Sequence, residues 1–299
     1  MFNSAKIVFA AFLTVVFMSI APFTAFATEG GGGAYGNGAE DSMSGNVPGP
    51  GFWFVNYMNY YHSDEFKDNN GDTLLGKDQF EVTTLANIFR FAYTSNVQIL
   101  GGNLGGYLLV PLVYADVKTP AGSDTNEGLG DMTISPFISW HTKNFHWAVA
   151  FDVTMPTGDY DKNEVANLGR NYFTFEPLVA FTYLADNGFE FTGKLMYDIN
   201  TENNDTNYKS GQELHADYFA GYHAGPWTFG LNGYLYKQVT DDDLNGNKVK
   251  DNRGQIMAAG PMVSYFFKGQ SIVLKYQKEF EAENKSEGEK VWLKYFVHF

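Results

Sequence analysis

Beyond residue 50 the chain alternates apolar and polar side chains with a period of two, most clearly at its end. In Lys290–Phe299 one face carries Val291, Leu293, Tyr295, Val297 and Phe299, and the other carries Lys290, Trp292, Lys294, Phe296 and His298. Successive side chains of a strand point to opposite sides, so this stretch has one apolar and one largely polar face. Eleven further runs read as strands: Gly51–His62, Phe80–Tyr93, Gly105–Val117, Asp131–His141, Phe145–Met155, Tyr172–Leu184, Phe189–Thr201, Glu213–His223, Trp227–Val239, Gln255–Phe267 and Ser271–Phe280. None sustains a 3.6-residue period. The first three alternate poorly and leave their phase open, and Thr94–Leu104 reads as a link or as strand with a glycine-rich bend.

The connections alternate in length. Short turns fall at Thr142–Asn144, Ala185–Gly188, Ala224–Pro226 and Lys268–Gln270; long ones include Ser63–Gln79, Lys118–Gly130, Pro156–Asn171, Glu202–Gln212, Thr240–Gly254 and Glu281–Glu289. Strands of ten or more residues exceed the average of about five or six in soluble sheets. They match the roughly 9–11 that a tilted membrane strand needs. The pattern predicts an all-β, transmembrane, antiparallel outer-membrane barrel of about 12 strands, short turns in the periplasm and long acidic loops outside. Trp53, Trp140, Trp147 and Trp227 lie near the short-turn ends and read as an interfacial belt.

The N-terminus reads as a secretory signal over residues 1–27: Lys6, an apolar run from Ile7 to Ile20, and Ala25-Phe-Ala27 as the cleavage site. Without it the chain keeps 19 basic residues against 34 acidic ones. Residues 28–50, with Gly30-Gly-Gly-Gly33 among small polar residues, read as a flexible periplasmic lead-in, or alternatively as a partial plug of the lumen. Residues 51–299 form the barrel. The acidity excludes nucleic acid as a partner, and the absence of cysteine excludes disulfides and thiol chemistry. The expected partners are outer-membrane lipid and lipopolysaccharide, a small-molecule solute and, through Phe299, the barrel-assembly machinery.

Phase assigns the lumen side to Asp131, His141, His146, Asp152, Glu176, Glu190, Lys194, Asp198, Glu213, His215, Asp217, Lys275, Glu279, Lys290, Lys294 and His298, with Phe137, Phe219, Tyr234, Tyr236, Trp292 and Phe296. Glu190, Lys194, Asp198, His215, Asp217, Tyr234, Tyr236, Lys275, Lys290, Trp292 and Lys294 are the permeation candidates. Aromatic faces would stack a planar solute while polar groups orient its hydroxyl; the competing reading has the charges pairing across strands to hold a narrow barrel shut. No Gly-x-Ser-x-Gly elbow accompanies the histidines, so catalysis on the barrel wall is the weakest reading. Asp241-x-Asp243-x-Asn245-Gly246 copies half a calcium loop, but Asn252 stands where a bidentate Glu is required. His141 and His146 lack a third ligand. No metal and no cofactor are expected.

Several stretches resemble the outer-membrane family named for the meta-pathway of phenol degradation. They are Gly128-Leu-Gly-Asp-Met-Thr-Ile-Ser-Pro-Phe137, Pro156-Thr-Gly-Asp-Tyr-Asp161, Leu168-Gly-Arg-Asn-Tyr-Phe173, Tyr197-Asp-Ile-Asn-Thr-Glu-Asn203, Tyr208-Lys-Ser-Gly211, Gly233-Tyr-Leu-Tyr236, Thr240-Asp-Asp242, Gly260-Pro261 and Trp292-Leu-Lys294. The resemblance implies a transporter of aromatic or other hydrophobic compounds in the outer membrane. A general porin, or a structural surface barrel, is the alternative.

Overall fold

The computed structural model describes residues 28–299, and the expected signal, residues 1–27, lies outside them. Twelve antiparallel strands close into a barrel: β1 (Gly51–Ser63), β2 (Glu81–Ile99), β3 (Gly102–Thr119), β4 (Thr133–His141), β5 (Phe145–Thr154), β6 (Thr174–Leu184), β7 (Phe189–Asn200), β8 (Glu213–Ala224), β9 (Trp227–Gln238), β10 (Gln255–Phe267), β11 (Gln270–Glu283) and β12 (Glu289–His298). Each pairs with its sequence neighbours, and β12 pairs with β1 from Trp53↔His298 to His62↔Glu289. Closure leaves no open edge, the condition for burying a sheet in lipid.

The alternation is realised as side chains in and out. On β7, Phe189, Phe191, Leu195 and Ile199 are exposed, while Glu190, Thr192, Lys194, Met196, Asp198 and Asn200 are buried. An exposed apolar face and a buried charged one is the inverse of a soluble sheet, and the outer-membrane arrangement. The ambiguous Thr94–Leu104 stretch resolves as a hairpin: β2 and β3 turn at Leu100 and Gly101, both with positive φ (52° and 79°). This matches a two-residue turn whose twist suits the flanking strands.

Gly51 and Phe299 both lie on the short-turn side, the side that in outer-membrane barrels is the periplasmic rim. At the opposite rim the loops fold over the barrel. Phe66, Leu75 and Phe80 pack together under one connection, and Ala115, Ala166 and Leu168 under another. The short strand Gly122–Leu129 extends the wall by pairing with the outer part of β3. The Asn245-Gly246 turn closes a small hairpin, with φ of 54° and 79°.

Three expectations are corrected here. Asp242, read as a solvated loop acid, is buried, because it accepts hydrogen bonds from Tyr208, the Gly211 amide, Gln238 and Asn252 at 2.6–2.8 Å. Trp53 does not belong to the lipid-facing belt. It points inward and donates Nε1–H to Thr94 Oγ1 at 3.2 Å, whereas Trp140 and Trp147 stack on the outer face at 5.8 Å and Trp227 is 44 % exposed beside Tyr265. The third correction concerns residues 28–50, which run inside the barrel rather than beside it.

Candidate functional site

Residues 28–50 descend through the lumen from the loop end to the periplasmic rim, where β1 begins. Near the loops, the Glu29 amide donates to Ser210 Oγ (3.1 Å), and Lys285 Nζ donates to the Gly31 carbonyl (3.0 Å). Burial in this loop holds the Lys285 ammonium down to about 8, against its ordinary 10.5.

Halfway down, Asp217 on β8 accepts three hydrogen bonds, all from the inserted segment: Tyr35 Oη (2.6 Å), the Gly38 amide (2.9 Å) and the Glu40 amide (2.9 Å). Across the lumen, Asp41 receives Lys275 (2.8 Å) and Lys294. Glu40 pairs with Arg90 on β2 (2.7 Å) and accepts from Tyr57 Oη (3.1 Å). Lower still, Glu190 takes the Ser42 hydroxyl (2.8 Å) and the Met43 amide (2.6 Å). These groups are buried, and an unpaired buried charge costs several kcal/mol, so segment and wall satisfy each other.

Glycine permits this closeness. A Cβ added to Gly38, whose φ is +80°, would lie 2.4 Å from the Gln277 side chain, and one on Gly45 2.4 Å from the Phe181 backbone. The glycines of this segment therefore serve close packing as well as backbone freedom.

All eleven permeation candidates are buried or turned inward, as phase predicts. Their surroundings differ from a free path. Glu190, Asp217, Lys275, Lys290 and Lys294 hydrogen-bond the inserted segment, and Lys194 lies 4.3 Å above the ring of Tyr35. Trp292 donates Nε1–H to Gln277 (3.0 Å), Tyr234 donates to Glu279, and Tyr236 packs on His215 beside Asp198. Several of them hold the inserted segment, and Lys194 and Lys294 also border the open part of the lumen. The competing reading, lumen charges that hold the barrel shut, is nearer to what is observed, although the partner is the plug as often as a neighbouring strand.

The free volume lies beneath Glu40 and Asp41 and beside the lower part of the segment, Ser42–Gly49. A cavity of about 770 Å³ opens toward the periplasmic turns at Gly225–Pro226 and Gly269. Trp53, Tyr57, Tyr107, Phe137 and Phe296 line it with Val55, Ala148 and Ala150, and Glu40, Asp41 and Arg90 form its roof. Trp53 packs tilted on Phe137 (6.3 Å) and Phe296 (6.5 Å). Arg90 stands over Tyr107 at 4.7 Å and Tyr57 at 5.2 Å. His141 and His146 meet at the mouth through their Nδ1 atoms, 3.1 Å apart, with no third ligand among the described residues. Of these residues, sequence phase identified Phe137, Phe296, His141 and His146. It missed Trp53, Tyr57, Arg90 and Tyr107, because β1–β3 carry aromatic residues on both faces. The signal that finds them is register: each lies an even number of residues from a position paired with a known lumen residue, as Tyr57 faces Lys294 and Asn59 faces Trp292 across β1–β12.

A solved structure similar to the chain is the COG4313 outer membrane channel from Pseudomonas putida F1, with a TM-score of 0.76 and 15% identity, covering 94% of this chain and 100% of that one. The translocator domain of the autotransporter NalP from Neisseria meningitidis aligns at a TM-score of 0.50 with 9% identity, over 86% of this chain and 92% of that one. At such identities the likeness is one of fold. No curated protein matches the chain in sequence. The model of the family described as "Putative MetA-pathway of phenol degradation" matches residues 63–295, most of the barrel, and the chain belongs to that family.

Proposed function

We propose that the protein is an outer-membrane channel for small aromatic or other hydrophobic compounds, held closed by its own N-terminal segment and performing no chemistry on what it passes. The observation behind this reading is the aromatic-walled cavity in the lower lumen, under Glu40 and Asp41 and beside Ser42–Gly49. At about 770 Å³ it is of a size that takes a drug-sized molecule, ample for a single-ring solute. Trp53, Phe137 and Phe296 offer ring faces and edges for stacking, while Arg90 and Glu40 in the roof offer a donor and an acceptor to a hydroxyl. A general porin is the poorer fit, because the upper lumen is filled by segment 28–50 and its ion pairs.

The test uses intact cells, whose lipopolysaccharide slows hydrophobic solutes. Cells making the protein should accumulate radiolabelled phenol or toluene faster than cells lacking it, with disaccharide entry unchanged. Equal acceleration of both would make it a general porin. No acceleration of either, with no conductance in planar bilayers, would favour a structural surface barrel. Turnover of ester or phospholipid substrates by the purified protein would overturn the absence of chemistry.

A further inference from the structure

Asp198 and Glu213 face each other directly across β7 and β8, and His215 follows two residues along on the same inward face. Like charges placed opposite on paired strands repel, and burial removes the water that would screen them. All three side chains are essentially inaccessible, at 0%, 1% and 0% exposure. His215 Nε2 stands 3.2 Å from Asp198 Oδ2 and 3.2 Å from Glu213 Oε2. The contacts of His215 Nε2 with the two carboxylates are ion-pair distances without hydrogen-bond geometry, and among the described residues neither Asp198 Oδ1 nor the hydroxyl of neighbouring Tyr236 has a hydrogen-bond partner.

Two of the nearby cations make their hydrogen bonds elsewhere. Lys285 donates to the Gly31 carbonyl and lies 4.4 Å over the Tyr236 ring, and Arg170 donates to the Glu29 carbonyl. Meanwhile the other imidazole nitrogen, Nδ1, lies 2.6 Å from Asn37 Oδ1 of the plug. An Nδ1–H donated to that carbonyl leaves the Nε2 lone pair aimed at two carboxylates. This is the way a metal-bound histidine is oriented by its outer partner. Metal–ligand lengths of about 2.0 Å at tetrahedral angles place donor atoms about 3.3 Å apart, close to the 3.2 Å of each histidine–carboxylate pair, and the three donor atoms all lie within 4.8 Å of one another.

We propose that Asp198, Glu213 and His215 form a buried site for a divalent transition cation of the zinc type, and that through His215 and Asn37 the ion fastens the plug to the wall. One imidazole and two carboxylates suit such a cation. The site is independent of the transport reading, since it requires only the barrel and its inserted segment.

The experiment unfolds the full chain in metal-free guanidinium and refolds it into detergent micelles with Zn²⁺ or with Co²⁺. Gel filtration follows, and metal content and visible spectra are measured. Folding is scored separately, by heat-modifiable migration on gels. The wild type should retain a single ion per chain, and Co²⁺ should give the visible absorption of a low-coordinate site. The double variant Asp198→Asn/Glu213→Gln removes the charges while keeping shape. It should fold and retain no ion, whereas His141→Ala/His146→Ala should retain it fully. Folded wild type with no bound ion overturns the proposal. So does an ion that survives in the Asp198→Asn/Glu213→Gln variant, or one lost when His141 and His146 are replaced.

Discussion

The upper and lower halves of the lumen are enclosed by the same twelve strands yet filled in opposite ways. Above, inward charges on β7, β8, β11 and β12 meet a segment of matching polarity: Asp217 takes Tyr35 and two backbone amides, and Asp41 takes two lysines. Below, the wall turns aromatic and small, with Trp53, Phe137 and Phe296 beside Ala148 and Ala150, and the segment, Ser42–Gly49, occupies only part of the width and leaves a cavity. The barrel by itself is therefore neither open nor closed. Side chains projecting from the wall decide where a strand-free segment can bind and where a cavity persists.

Removing the plug is the most forceful way to break this contrast. Deleting residues 30–46 strips partners from Arg90, Glu190, Asp217, Lys275 and Lys294 together. Water then takes the place of the segment, and the upper half becomes the wider part. Planar-bilayer recordings should change from a closed barrel to large steady currents, with folding retained on heat-modifiable gels. Continued silence would mean that the loop cap, with its Phe66–Leu75–Phe80 and Ala115–Ala166–Leu168 clusters, closes the pore on its own.

A single atom group carries much of that effect. Asp41→Ala removes the one carboxylate in direct contact with both Lys275 and Lys294, and losing one member of a buried pair costs about 3–5 kcal/mol. Because the wall strands keep their ladders, the loss falls on seating of the plug. The expected record is flickering conductance with an unchanged barrel melting temperature. A melting temperature that falls while the channel stays closed would place Asp41 in the stability of the wall. Gly38→Val should act in the same direction, since its Cβ would meet Gln277 and its φ of +80° disfavours a branched residue.

The lower half answers to different residues. Trp53→Ala removes a ring that borders open space, so the penalty should stay below the roughly 3–5 kcal/mol of a fully enclosed aromatic. Aromatic uptake should slow with little change in conductance. Trp292→Ala, which removes a bond to Gln277 beside the plug, should do the reverse. If both variants slow uptake equally and neither changes conductance, the two halves do not divide the work.

The division between legible and hidden features follows the same line. Period alone places Glu190, Asp198, His215, Asp217, Lys275 and Trp292 inward, since charge on the lipid face is expensive and the strict alternation of β7, β8, β11 and β12 leaves one phase. It does not place Tyr57, Arg90 and Tyr107, because β1–β3 carry aromatics on both faces and only pairing to β12 fixes their side. The plug was hardest to see. Gly30–Gly33 and Gly36 to Gly45 have the composition of a flexible linker, and glycine that packs closely cannot be told from glycine that moves by composition. Its trace in the sequence is Glu40-Asp41, the only paired acids in that stretch. They form the close ion pairs of Arg90, Lys275 and Lys294 on the wall. The facing acids Asp198 and Glu213 were likewise assigned inward one at a time, and it is the β7–β8 register that makes them a pair.

The smallest predicted effect concerns how the loops hold the top of the plug. Lys285 titrates at about 8 in the folded chain against 10.5 when exposed, chiefly because burial disfavours the ammonium. A depressed cationic pKa means that the unfolded chain binds more protons between about 8 and 10.5. Stability contributed by this group therefore rises with pH across that window and is absent below it. Other lysines and tyrosines also titrate there, so the readout is a difference between two proteins. The stability of Lys285→Met relative to wild type, from guanidinium midpoints, should fall as pH is raised from 7.5 to 10, because the wild type sheds its buried charge and the variant has none to shed. A difference that stays flat would show that the Gly31 carbonyl and the Tyr236 ring compensate the ammonium fully, and the top of the plug would then be held as firmly as its middle.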